Sequence, residues 1–204
     1  RRLREALKPA VEADLVQLID QPNATLKQIL DTFQEYRNRI AIFHYGGHAD
    51  SYHLLFETVK GEPAPVDATA FAAFLGHRPE GSLQFTFLNG CSTQQQVEAL
   101  LDASVSAVVA TSQEIDDGVA TEFAYRFYKG LGSGASLADA FGEARRAAEA
   151  TSGSIIRSGV TRSSRHLGPV GGAQAELDRW PWELCVRPGA ESVREWNLPL
   201  AANA

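Results

Sequence analysis

Two residues in this chain have the chemistry of a nucleophile and its partner, and each follows a short apolar run. Cys91 comes directly after Leu83–Leu88 (LQFTFL) and the pair Asn89-Gly90. His48 comes after Arg39–His44 (RIAIFH) and Tyr45-Gly46-Gly47. A thiol attacks a peptide carbonyl only as the thiolate, so it needs a nearby base or positive charge. An imidazole supplies that if the fold brings the ring to the sulfur. Gly46, Gly47 and Gly90 let the backbone turn tightly and come close to a substrate. Backbone N–H groups at such turns are released from sheet pairing and can hold an oxyanion. A cysteine after a strand commonly serves as a small buried filler, and a histidine beside glycines commonly packs. Chemistry therefore requires the two apolar runs to be neighbouring strands ending at the same edge.

The pattern along the chain predicts that arrangement. Leu3, Leu7 and Ala10 or Val11 recur at helical spacing in a segment ended near Pro9, and Ala13–Ile19 reads as a strand. Pro22-Asn23-Ala24-Thr25 is a turn with a helix cap, and Leu26, Ile29, Leu30 and Phe33 form one helical face. Tyr52–Thr58 is a short strand, and Asp67 caps a helix carrying Phe71, Phe74 and Leu75. After the cysteine, Val97, Leu100 and Leu101 lie on a helix and Val105–Ala110 on a buried strand. Ile115, Val119, Phe123, Phe127 and Leu131 step by fours, and 137–150 is helical again. Residues 151–175 dissolve into Ser, Gly and Arg and read as a long mobile loop. Trp180–Val186 is a last apolar strand. Strands alternating with helices predict an α/β fold with a mostly parallel sheet covered on both faces. Ligands in such sheets bind beyond the carboxyl ends of the strands, where His48 and Cys91 fall.

Bulk composition narrows the class. The 204 residues carry a formal net charge of −6, with 44% hydrophobic and 22% charged residues. That is ordinary for a globular protein and lacks the basic face of a nucleic-acid binder. No apolar run approaches the ~18 residues that span a bilayer. The two cysteines, Cys91 and Cys185, have no CxxC or metal-ligand spacing, so free thiols in a cytoplasmic, reducing setting are expected. No metal site and no membrane contact are expected. The chain contains no Met, opens as if inside a helix, and from 195 to 204 reads as the start of a linker. One domain over 1–204, cut from a longer protein, is the expectation.

Ile40–Asp50 (IAIFHYGGHAD) resembles the histidine loop of CHAT domains, the caspase-like cysteine peptidases of clan CD, and Leu83–Thr93 resembles their cysteine loop. Ser106–Thr111, Asp116 or Asp117, Phe123–Tyr128 (FAYRFY) and Gly134–Arg145 resemble the segments that follow, in the same order. The resemblance runs from about Asn23 to Arg146, and less firmly to Trp182-Glu183-Leu184. It implies a caspase-haemoglobinase-like three-layer sandwich and endopeptidase activity without a cofactor. His48 would be the general base and Cys91 the nucleophile, with the main-chain N–H groups of Ala49 and Cys91 holding the oxyanion. Ala49 stands where the family usually has Gly, a position at which a left-handed backbone would be strained. The family often sits in larger bacterial signalling or antiphage proteins, where a sensor or effector module controls the peptidase. Its substrates are proteins, gasdermin-like pore formers among them. An isolated domain is then expected to be weakly active, with the 151–175 loop moved on activation.

The remaining polar residues divide by role. An acidic side chain in the S1 pocket would select a basic P1 residue, and Asp50, Glu114, Asp116 and Asp117 are the candidates. Asp116 and Asp117 equally suit the N-terminus of the next helix, which attracts acids regardless of function. His44, His53 and His77 are read as packing or surface residues, and Cys185 as inert. Gly130–Gly134 joins two helices without a Gly-Lys-Ser/Thr and is not a phosphate loop. Two other classes remain open: a catalytically silent caspase-like scaffold for protein–protein signalling, and a flavodoxin-like small-molecule binder.

Overall fold

The computed structural model describes residues 2–49, 52–79, 82–90, 93, 95–112, 115–158 and 180–198. These group into two compact units, one built from 16–113 and 182–196, the other from 1–15, 114–181 and 197–204. The chain is α/β.

The first unit holds a four-stranded sheet of β1 (Ile42–Gly46), β4 (Phe85–Asn89), β5 (Ala107–Thr111) and β6 (Trp182–Val186), in that order. β1 pairs with β4 and β4 with β5 in parallel, while β6 runs antiparallel to β5. The sheet is thus mostly parallel, as the alternation of elements predicts. Phe85, Thr86, Phe87 and Leu88 of β4 are at most 1% exposed, so residues of both alternations are removed from water. This explains why LQFTFL reads as a continuous run rather than an alternating one.

On one side of the sheet an apolar cluster joins Phe43, Tyr45, Leu88, Val108 and Ala110 to three helices. These are α3 (Leu26–Glu35), α4 (Ala68–Gly76) and α5 (Gln95–Asp102). Phe43 meets Phe33 and Phe71 at ring-centroid distances of 5.8 and 5.5 Å, and Phe71 meets Phe56 at 5.5 Å. Both expected caps are present. Thr25 accepts from the Gln28 N–H while the Gln28 side chain accepts from the Thr25 N–H, a capping box. Asp67 accepts from the Ala70 N–H at 2.7 Å.

A separate antiparallel pair, β2 (His53–Glu57) and β3 (Pro63–Asp67), follows the histidine loop. β3 has no counterpart in the sequence reading, and its Pro63 and Pro65 are unusual in a strand. The pairing accommodates them. The Ala68 N–H donates to Tyr52 O and the Thr58 N–H to Glu62 O. That phase puts residues 63 and 65 at non-hydrogen-bonded pairs, where the backbone nitrogen faces away from β2.

The second unit packs α1 (Arg2–Ala6), α2 (Lys8–Glu12), α6 (Asp117–Gly132) and α7 (Leu137–Ser158). The break between α1 and α2 falls at Leu7, just before Pro9, which cannot donate to a preceding carbonyl. Val119, Phe123, Phe127 and Leu131 form the buried stripe of α6, and Phe123 meets Phe141 of α7 edge-on at 5.7 Å. Gly130 lies inside α6 where a side chain would come within 3.2 Å of Ala140, so it serves helix packing.

Two expectations need correcting. Ala13–Ile19 is not a strand: Asp14 takes φ 55 and the Leu15 N–H reaches back to Ala10 O, a Schellman-type end to α2. Gln17 and Gln21 then bond Tyr36 and Thr32 on and beside α3 instead of joining a sheet. Residues 151–158 belong to α7 and not to a loop; 159–175 lie outside the described residues. At the chain's far end, Trp196 packs edge-on against Phe85 at 5.8 Å and Leu198 is 5% exposed.

Gly76 closes α4 against the end of α5, where a β-carbon would lie 1.5 Å from Ala103 O. Gly76→Ala is expected to cost at least about 3 kcal/mol, because backbone on both sides must move. Urea unfolding of the variant against wild type measures this.

Candidate active site

Parallel pairing of β1 with β4 sets Gly46 opposite Asn89, so the two strands end side by side. The Gly47 N–H, the first donor beyond β1, approaches Asn89 O at 3.4 Å. Gly90 then runs against the histidine loop. A β-carbon there would lie 2.7 Å from Gly47 O and 3.3 Å from the Ala49 β-carbon. Only glycine permits this approach, which is the clearest reason for Gly90 in the sequence. The residue that follows, Cys91, lies outside the described residues, as do Asp50 and Glu114.

His48 is exposed, but its backbone is held on several sides. Its carbonyl accepts from the Leu55 N–H at 3.0 Å and from the Tyr45 hydroxyl at 2.5 Å. Ala49 forms an antiparallel bridge with Leu54. With Leu55 donating to His48, Ala49 occupies a non-hydrogen-bonded pair, so its own N–H points away from β2. Among the described residues, the non-glycine positions with positive φ are Asp14, Asn23, Asn38 and Ser104. Ala49 thus carries no left-handed strain.

Tyr45 lies beneath this loop at 6% exposure, with its ring 5.6 Å from Phe56. Its hydroxyl also lies 2.9 Å from Leu55 O. Burial pushes the phenol up to about 12, against a smaller opposing effect of the Leu55 hydrogen bond. The phenol explains Gly47 too, since a β-carbon at 47 would lie 2.9 Å from the Tyr45 oxygen.

The cysteine loop has a matching anchor at the end of β5. Thr93 and Thr111 are 0% and 1% exposed. The Thr93 hydroxyl accepts from the Thr111 N–H at 3.0 Å and lies 3.2 Å from the Thr111 hydroxyl and 3.3 Å from Leu88 O. The Thr111 hydroxyl donates to Gly90 O. With that proton committed, the Thr93 hydroxyl is the donor to Thr111 or to Leu88.

The other candidates are placed as follows. Asp116 caps α6, accepting from the Gly118 and Val119 N–H groups at 2.9 and 3.2 Å, and Asp117 opens that helix. Both belong to the helical unit, whereas His48 belongs to the sheet unit. His44 lies on β1 with its ring 4.9 Å from that of Phe87, and burial lowers it to about 4. His53 is half-buried on β2 and His77 is exposed after α4. Cys185 is half-buried on β6, where burial and then the Glu183 charge push its thiol up, away from reactivity. Tyr45, Thr93 and Thr111 were not singled out by sequence. A tyrosine among apolar residues and a threonine at a strand end look like packing until their partners are known.

Among the described residues there is no group of three or more His, Cys, Asp or Glu able to hold a metal. No helix among them is long and apolar enough to cross a membrane. Comparison with known family models and with curated proteins finds no match to this chain.

Two outcomes follow from this geometry. Gly90→Ala is expected to lose about 2 kcal/mol or more in urea unfolding, because its β-carbon meets a backbone oxygen rather than a flexible side chain. His44 makes stability depend on pH. Above about 6.5 neither folded nor unfolded chain carries the proton, and the full stabilisation is present. As pH falls from about 6.5 to about 4, the unfolded chain takes up the proton while the folded one resists. This group alone then costs roughly 3 kcal/mol. The difference between wild type and His44→Gln in unfolding free energy against pH reads it directly.

Proposed function

We propose that this chain is a cysteine endopeptidase of the caspase-haemoglobinase-like, three-layer kind, in which His48 activates the thiol of Cys91. The observation that carries the reading is the packing of Gly90 against Gly47 and Ala49 of the histidine loop. Cys91 follows Gly90 directly in the chain, so the approach of Gly90 to that loop is what supports pairing the two residues.

The chemistry follows from these residues. The Cys91 proton passes to the His48 imidazole and the thiolate attacks the scissile carbonyl carbon, giving a tetrahedral oxyanion. The N–H of Ala49, turned away from β2, and that of Cys91 are the donors that would stabilise it. Collapse breaks the C–N bond, and His48 returns its proton to the leaving amine. Water, deprotonated by His48, then attacks the thioester, and the carboxylic product leaves with the thiol restored. No cofactor enters these steps. The substrate is a protein segment that reaches the carboxyl edge of the sheet. Control by a sensor or effector module, in a cytoplasmic bacterial defence setting, completes the proposal.

Labelling by iodoacetamide at pH 7 tests the dyad. Wild type is expected to label rapidly at one site, lost in Cys91→Ala and slowed about tenfold in His48→Ala, the ratio expected when an ionised thiol reverts to an ordinary one. Slow labelling indifferent to His48 would sink an activated dyad in this chain and leave a scaffold or a domain that waits for its sensor.

A further inference from the structure

We propose that Tyr45 is a positioning residue for the dyad: its hydroxyl fixes the His48 carbonyl, and through it the direction in which the imidazole leaves the loop. The inference rests on the peptidase reading above. It comes from an arrangement of groups around one carbonyl oxygen. His48 O has two lone pairs and two donors, the Leu55 N–H at 3.0 Å and the Tyr45 hydroxyl at 2.5 Å. One donor comes from β2, the next strand in the chain, and the other from β1 beneath the loop. Together they hold the peptide after His48 in two directions.

The phenol has a single proton and a second acceptor, Leu55 O, within 2.9 Å. Leu55 thus donates to His48 through its N–H and offers its carbonyl to the same hydroxyl that donates to His48. The Tyr45 oxygen thus sits between a loop carbonyl and a β2 carbonyl, and losing it removes the hydrogen bond that ties the loop to β1. Tyr45→Phe keeps the ring against Phe56 and removes only that oxygen. Phenylalanine would satisfy the packing, so the hydroxyl is what requires explanation. A buried hydroxyl that lacked partners would be costly, and this one is spent on the loop that carries the histidine.

Positioning and a merely structural role are separated by the pH dependence of Cys91 alkylation. At pH 7 an ordinary thiol, with a reference value of about 8.5, is mostly protonated and depends on the histidine. At pH 9.5 it is ionised without help, while the Tyr45 phenol, at about 12, keeps its proton. Tyr45→Phe is expected to slow iodoacetamide labelling about threefold to tenfold at pH 7 and to match wild type at pH 9.5, as His48→Ala does more strongly. A second measurement, amide exchange at Leu55, is expected to show faster opening in Tyr45→Phe. If Tyr45→Phe labels like wild type at pH 7 while His48→Ala is slow, the positioning role is overturned and the dyad stands. If the variant is slowed equally at both pH values, the hydroxyl serves structure alone and the proposal fails. If His48→Ala itself has no effect, the dyad is wrong and there is nothing for Tyr45 to position.

Discussion

The parallel pairing of β1 with β4 is the constraint on which the candidate site depends. Parallel neighbours end at the same edge, so the loops after Gly46 and Asn89 leave the sheet side by side. Antiparallel pairing would have sent them to opposite ends. Register is equally strict. β4 is buried through both alternations, so a slip of one residue would exchange Phe87 with Leu88 between two packed surfaces. The same slip would move Gly90 away from Gly47 and put a side chain where only glycine fits. Core packing and loop juxtaposition are therefore the same requirement.

Each of the two loops is anchored by hydroxyls in apolar surroundings. Tyr45 reaches up from β1 to the histidine loop, and Thr111 reaches across from β5 to Gly90, with Thr93 completing the second set. Buried hydroxyls specify geometry where apolar side chains would only fill volume, because hydrogen bonds restrict direction as well as distance. The imidazole of His48, by contrast, is left at the surface. Rigid backbone beneath an accessible side chain is the combination that a nucleophilic site needs.

Much of this was readable in the chain because the signals are local. Thr25 and Asp67 cap the helices that their spacing suggests, and the fourfold steps from Val119 to Leu131 mark a buried face. LQFTFL reads as a buried strand from its unbroken apolar character. What was not readable depended on partners distant in sequence. The Ala13–Ile19 segment has strand composition but no strand to pair with, and a left-handed Asp14 turns it aside. RIAIFH contributes only its second half to β1, because the turn at Tyr36–Arg39, with Asn38 at φ 60, absorbs the start. Asp116 had two plausible uses, and one of its carboxylate oxygens caps the helix end. Tyr45, Thr93 and Thr111 acquire meaning only from carbonyls that the sheet brings to them.

The alternating prolines of β3 have a consequence beyond fitting the hairpin. Their nitrogens face the side away from β2, which in most strands would offer a row of donors to any extended segment that approached. Along Pro63 and Pro65 that row holds acceptors alone, and a ladder built from one kind of group cannot be completed. The hairpin beside the histidine loop is therefore a poor template for strand recruitment. An extended chain lying near it would have to be recognised by side chains and loop amides, not by extension of the β2–β3 sheet.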